Sequence, residues 1–134
     1  MSNYTVTNNG AEFSITHWTI TGFYQPVDMN GVTNTVKGGS TVPLKFNIYA
    51  GGVEKTSVSD VMYGTVQVAE YTCGGSTDVP LEEVSNTGNT ALRYDTTGHQ
   101  FIQNWQTPKG ANKCYVVRMT AADGSYIQAY FKTK

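Results

Sequence analysis

Charge is what this chain has least of. Of its 134 residues only 14% are Asp, Glu, Lys or Arg, and nine basic residues scattered among ten acidic ones leave a net charge of -1. Binding to a phosphate backbone works through clustered Lys and Arg, so nucleic acid is not an expected partner. Histidine is scarcer still: His17 and His99 stand 82 positions apart, and neither lies in a motif that joins it to a nucleophile and an acid. Long apolar runs are missing as well. Nothing approaches the roughly 20 consecutive apolar residues that a membrane-spanning helix needs, and no basic, apolar and small-residue series marks a signal peptide at the start. The expectation is a soluble chain without membrane insertion. Export stays open, because leaders are removed from mature proteins.

The acidic residues do not assemble into chemistry either. Glu82 and Glu83 are adjacent, so a strand points them to opposite faces and they make no carboxylate pair on one substrate. Asp28, Asp95 and Asp123 fall in turns, where the side chain ordinarily hydrogen-bonds the local backbone. A calcium site built from those loops is an alternative, but no D-x-D-x-D run supplies one. The reading is therefore no enzyme, no catalytic residue, no cofactor and no metal.

Cysteine is down to two. Cys73 and Cys114 enclose about forty residues, outside C-x-x-C and metal-ligand spacings. One reading is a disulfide, which places the protein outside the cytosol; the other is a pair of buried free thiols. The disulfide is the economical one.

What remains is a polar surface of Thr, Asn, Ser and Gly around short runs rich in Val, Ile, Thr, Tyr and Phe. A chain of this length buries roughly two thirds of the surface its unfolded form exposes, which suits one core. No segment sustains a helical period, while seven to nine short runs recur between Gly, Asn and Asp turns. The fold class that follows is all-β: an antiparallel β-sandwich of immunoglobulin-like architecture with seven to nine strands. "STVPLKFNIY" (40 to 49) has the plainest alternation, with Val42, Leu44, Phe46 and Ile48 on one face and Lys45, Asn47 and Tyr49 on the other. Pro43 and the outward Lys45 read as protections of an edge strand. Other inward positions are Leu92, Tyr94, Phe101, Trp105, Tyr115, Val117, Met119, Ile127 and Phe131. "CYVVRMT" and "SYIQAYFK" form a hairpin across "AADG", whose Asp123-Gly124 pair suits a tight turn. In "FSITHWTI" (13 to 20), His17 and Trp18 break the alternation and suggest a bulge or a strand buried on both faces. The immunoglobulin label describes architecture only, because Trp105 lies much nearer the second Cys than the first.

Several separated stretches carry a resemblance. "GFYQPVD" (22 to 28), "NTVKGGSTVPLKF" (34 to 46), "LRYD" (92 to 95), "NWQTPK" (104 to 109), "KCYVVRMTAADGS" (113 to 125) and "AYFK" (129 to 132) resemble the PxKF domain, named for the match at Pro43, Lys45 and Phe46. The likeness covers residues 20 to 134, and Cys73 and Cys114 fall where that family commonly has a cysteine pair. It implies a secreted or cell-surface setting as a module of a larger microbial protein, with no activity to transfer. Two stretches depart from it: "DMNG" (28 to 31), and residues 1 to 19, an N-terminal strand segment of uncertain register that pairs within the domain or is donated to another copy.

Two function classes follow. The first is a non-catalytic extracellular accessory module, structural, adhesive or spacing, whose partners are the neighbouring domains of a parent protein. The second is a carbohydrate-binding module for a surface polysaccharide. Aromatic residues are 12% of the chain and nine are tyrosines, enough to leave several outside the core. Tyr126 and Tyr130 have the opposite parity to Ile127 and Phe131, so they share the outward face of the last strand, about 13 Å apart by strand rise. Tyr49, outward on its own strand, is the third candidate.

Overall fold

The computed structural model describes residues 17–84 and 91–134. Among them ten strands form: β1 (Trp18–Gly22), β2 (Thr33–Val36), β3 (Thr41–Ala50), β4 (Val53–Lys55), β5 (Gln67–Tyr71), β6 (Glu82–Glu83), β7 (Arg93–Asp95), β8 (Gln100–Gln106), β9 (Cys114–Thr120) and β10 (Tyr126–Thr133). Short 3-10 turns at Val58–Asp60 and Met62–Gly64 lie between β4 and β5. The count exceeds the expected upper limit because β4 and β6, of three and two residues, are too short to leave a periodic signature.

The strands make two sheets. Sheet I runs β2-β10-β9-β5-β6; sheet II runs β1-β3-β8-β7, with β4 beside β3. In immunoglobulin lettering sheet II takes the places A-B-E-D and β10-β9-β5 take G-F-C. One pairing departs from the antiparallel expectation: β2 runs parallel to β10, with Thr33 opposite Tyr130 and Val36 opposite Thr133.

The alternation in β3 holds. Val42, Leu44, Phe46 and Ile48 are buried, and Phe46 stacks on Phe101 of β8 with centroids 5.1 Å apart. Trp105 spans the gap between the sheets, edge-on to Tyr115 at 5.9 Å and to Phe131 at 5.2 Å. The remaining expected inward residues are buried except Tyr94 and Ile127, which are half-buried against the same cluster. Gln103 shares the inward parity of Phe101 and Trp105 and is wholly buried. Its Oε1 accepts from the Val66 N–H at 2.9 Å and its Nε2 donates to Thr65 Oγ1 at 2.8 Å, while Thr65 donates onward to the Val84 carbonyl at 3.1 Å. A buried amide costs little when each of its groups is partnered, and this one ties sheet II to the chain entering β5.

The edge-strand reading of β3 needs correction. It is a central strand, with β1 along one side and β8 and β4 along the other. Among the described residues only its first half has an open side, since β1 ends at Gly22 opposite Phe46. Thr107 N–H donates to the Ser40 carbonyl at 2.8 Å and Tyr24 N–H to the Lys45 carbonyl at 3.0 Å. Even-numbered backbone groups around there therefore face β8 and odd-numbered ones face away, Pro43 among them. The missing N–H of Pro43 thus falls where no strand among the described residues asks for a donor. At Gly22 (φ +126°) an added Cβ would lie 2.7 Å from the Lys45 carbonyl oxygen, so the departure of the chain from β1 requires glycine.

Trp18 and Thr19 pair with Ala50 and Tyr49, so β1 crosses the boundary expected at residues 19 and 20. The alternation over residues 13–16, and the question of a donated strand, lie outside the described residues. The expected hairpin of β9 and β10 forms, paired from Cys114 opposite Lys132 to Thr120 opposite Tyr126. Its turn is wider than a two-residue one: Ala121 N–H bonds the Ser125 carbonyl at 2.7 Å, and Asp123 Oδ1 accepts from Ser125 N–H at 3.0 Å inside the loop.

Candidate functional site

Cys73 and Cys114 are joined as a disulfide with a Cα–Cα distance of 5.3 Å. Cys73 follows β5 and Cys114 opens the adjacent β9, so the bond clips neighbouring strands of sheet I rather than crossing between the sheets. The Cys73 end is exposed and the Cys114 end is buried.

That clip lies on the outer face of sheet I, where register brings an ordered set of side chains together. Across the sheet Gln128 (β10), Arg118 (β9), Gln67 (β5) and Glu83 (β6) form one row. Tyr130, Val116 and Ala69 form the next, and Lys132, Cys114 and Tyr71 the one after. Tyr71 and Tyr130 meet edge-on at 6.4 Å over Val116, which is buried although it points outward. Burial and the neighbouring Tyr130 raise the Tyr71 phenol above its ordinary value. Arg118 donates through Nε and Nη2 to Gln128 Oε1 at 3.0 and 2.9 Å. Gln128 Nε2 donates to Tyr130 Oη at 2.7 Å. The Arg118 guanidinium also lies 4.1 Å from the centroid of the Tyr126 ring, a cation–π contact. Arg118, Gln128 and Tyr130 are thus linked in series, with the Tyr126 ring against the guanidinium.

Of the three tyrosines singled out from parity, Tyr126 and Tyr130 do share this face, in unequal states. Tyr126 is exposed and Tyr130 is half-buried. Tyr49 belongs elsewhere: it sits half-buried on sheet II, opposite Thr19 and Glu54. One ligand does not reach all three. Lys45 has the outward parity expected of it and is half-buried on sheet II, with no ion pair among the described residues. Phe46, the third residue of that motif, is core.

A second polar network lies at that end of sheet II. Tyr94 Oη donates to Glu54 Oε2 at 2.6 Å, and this hydrogen bond to a carboxylate pushes the phenol up to about 12. Asn47, nearly buried, donates to the same Glu54 oxygen at 3.0 Å and to the His99 carbonyl at 2.9 Å, and accepts from Tyr24 Oη at 2.7 Å. These groups satisfy one another. Asp95 and Asp123 hold their own turns, accepting from Thr97 and Ser125 amides, whereas the Asp28 carboxylate accepts from the Gln25 side chain at 2.9 Å. Burial draws the Asp123 carboxyl upward, but hydrogen bonds from the Trp18 amide and from Ser125, with His17 nearby, outweigh it and hold the group below its ordinary value. Among the described residues no three His, Cys, Asp or Glu side chains are grouped to hold a metal ion, and no helix is long and apolar enough to cross a membrane.

Sequence reasoning passed over Arg118, Gln128, Gln67 and Tyr63. The first three share the parity of Tyr126 and Tyr130 through the sheet register, a signal available once strand pairing is known. Tyr63 sits in an irregular turn, where no period applies. No protein-family model, no curated protein and no solved structure matches the chain.

Proposed function

We propose that the chain is a non-catalytic accessory module of a larger secreted or cell-surface protein, a structural, adhesive or spacer domain of the PxKF kind. The observation that carries this reading is the Cys73–Cys114 disulfide, which persists in an oxidising compartment and is rare in a reducing one. A protein of this kind requires a stable sandwich and a contact surface for its neighbours, with no reaction of its own. Protease shaving of intact source cells tests the location: release of peptides from this chain, with Cys73 and Cys114 resistant to alkylation before reduction, is the expected result. Recovery of the chain only from the lysed, reduced interior overturns it.

A second reading, a carbohydrate-binding module, is favoured by a specific arrangement. The outer face of sheet I presents an exposed tyrosine against a guanidinium already oriented by a glutamine. Binding energy then goes less into ordering side chains. Retention on a panel of immobilised polysaccharides tests it, and loss of that retention in Tyr126→Ala assigns it to this face.

A further inference from the structure

The outer face of sheet I does not end at Tyr126. The two 3-10 turns before β5 fold back over the hairpin of β9 and β10: Val61 bridges Ala121, and Ala122 N–H donates to the Asp60 carbonyl at 2.8 Å. This clamp sets Tyr63 beside the same end of the sheet. Tyr63 has a left-handed backbone (φ +68°, ψ -5°), a conformation that costs a bulky residue about 1–3 kcal/mol and tends to persist where it aims a functional side chain. Tyr63 is 57% exposed and Tyr126 52% exposed, and both line one groove of about 440 Å³ together with Arg118, Gln67, Thr120 and Pro80.

The chemistry of that groove is specific. A guanidinium has five N–H donors, and Gln128 engages only the edge formed by Nε and Nη2. Among the described residues no acceptor takes the edge formed by Nη1 and Nη2, which suits a planar, two-oxygen acceptor, the geometry in which arginine recognises carboxylates. The two ion pairs among the described residues are Lys55–Asp60 and Lys113–Glu70; Arg118 is in neither. Glu83, whose Oε2 lies 3.4 Å from Gln67 Nε2, is not among the residues that line the groove. Two exposed tyrosine rings suit the C–H faces of pyranose rings, and Thr120 and Gln67 suit ring hydroxyls. Met62, Val79, Pro80 and Leu81 also line the groove; a peptide is the poorer match, since peptides dock on an open strand edge, a predominantly apolar groove or an arginine cluster, and here polar groups and a single arginine share the lining.

We propose that the groove between Tyr63 and Tyr126 binds a uronate-bearing polysaccharide, with the sugar carboxylate on Arg118 and the sugar rings against the two tyrosines. This rests on the carbohydrate-binding reading and names its ligand class and its residues.

Affinity electrophoresis with polygalacturonate, alginate and hyaluronate, each also as its neutral methyl ester, with poly-glutamate and with neutral dextran and mannan, tests it. At least one uronan is expected to retard the protein, and its ester to release it. Arg118→Gln is expected to weaken that binding about ten- to a hundredfold, the equivalent of one charge-assisted hydrogen-bonded contact, and Arg118→Lys to recover little because the planar fork is gone. Tyr63→Ala is expected to weaken it several-fold, and Lys45→Ala, which removes a cation from the opposite sheet, to leave it unchanged. Thermal melts confirm that each variant is folded. Equal binding of esters or neutral glycans overturns the carboxylate assignment and leaves the carbohydrate reading standing. Equal binding of poly-glutamate, or equal weakening by Lys45→Ala, overturns the groove as a sugar site. No retention on any polysaccharide overturns both, without touching the accessory-module reading.

Discussion

Gln103, on the inward face of β8, accepts a hydrogen bond from the Val66 amide at 2.9 Å, so a side chain of one sheet takes the place of a strand partner for the other. Replacing it by leucine keeps most of the volume and leaves the Val66 N–H buried without an acceptor. Gln103→Leu is therefore expected to cost about 1–3 kcal/mol, read as a lower urea midpoint with an unchanged slope.

The Cys73–Cys114 bond encloses a sequence separation of 41 residues. Removing such a cross-link is expected to lower stability by about 4 kcal/mol in the chain-entropy account. Urea unfolding with and without reductant, or of a Cys73→Ser, Cys114→Ser variant, measures it. Non-reducing mass analysis is expected to find no alkylatable thiol in the folded protein.

Tyr94 titrates late because its phenol donates to Glu54. Its folded value, about 12, lies above the ordinary 10.0 of the unfolded chain. The stability tied to this proton is thus fully present below the unfolded value and is lost as pH rises through the folded one. A phenolate absorbance titration is expected to show a late component that Tyr94→Phe removes and Glu54→Gln moves to lower pH.

Tyr126 and Tyr130 are expected to part company on truncation. Tyr126→Ala removes an exposed ring and one cation–π contact, a loss of about 1 kcal/mol or less. Tyr130→Ala uncovers Val116 and frees Gln128, and is expected to cost about 1–2 kcal/mol more by lost apolar burial. Melting curves of the two single variants separate these effects, which a double variant would merge.

Lys45 bears on the one covalent reaction a β-sandwich runs on itself, an amide between lysine and asparagine with loss of ammonia. That chemistry needs a neutral amine in apolar surroundings, and Lys45 points outward from sheet II. The intact mass is expected to equal that of the sequence less the two hydrogens of the disulfide, for wild type and Lys45→Ala alike once the substitution is subtracted. A deficit of one ammonia that Lys45→Ala abolishes would overturn the structural reading of the motif.

How much of this could be read beforehand depended on period. Val42 to Ile48 and the hairpin of β9 and β10 alternate cleanly, so their faces were legible, and the core came with them. The neighbours of β3 were not, because Pro43 reads as an edge signal whether a whole strand or only half of one lies open. Gln103 was hidden by its type: a polar residue at an inward parity is explained only by Val66 and Thr65, 37 and 38 positions away. The tyrosines at 126 and 130 were visible as a pair on one strand, but Arg118 and Tyr63 reach their groove through strand register and an irregular turn, which no local pattern encodes. Tyr49 shows the same limit: its outward parity was legible, but that it lies on the other sheet was not, since parity says which face of a strand a residue takes and not which sheet it belongs to.

The parallel pairing of β2 with β10 has a mechanical consequence. A pull applied between Val32 and Lys134 drags the two strands past each other lengthwise. The hydrogen bonds from Thr33 to Val36, with the Lys134 N–H on the Val36 carbonyl at 2.9 Å, then share the load together. An antiparallel pair pulled from one end would surrender them one at a time. Tension along the chain in that direction meets a shear clamp, and rupture there requires several bonds to fail at once.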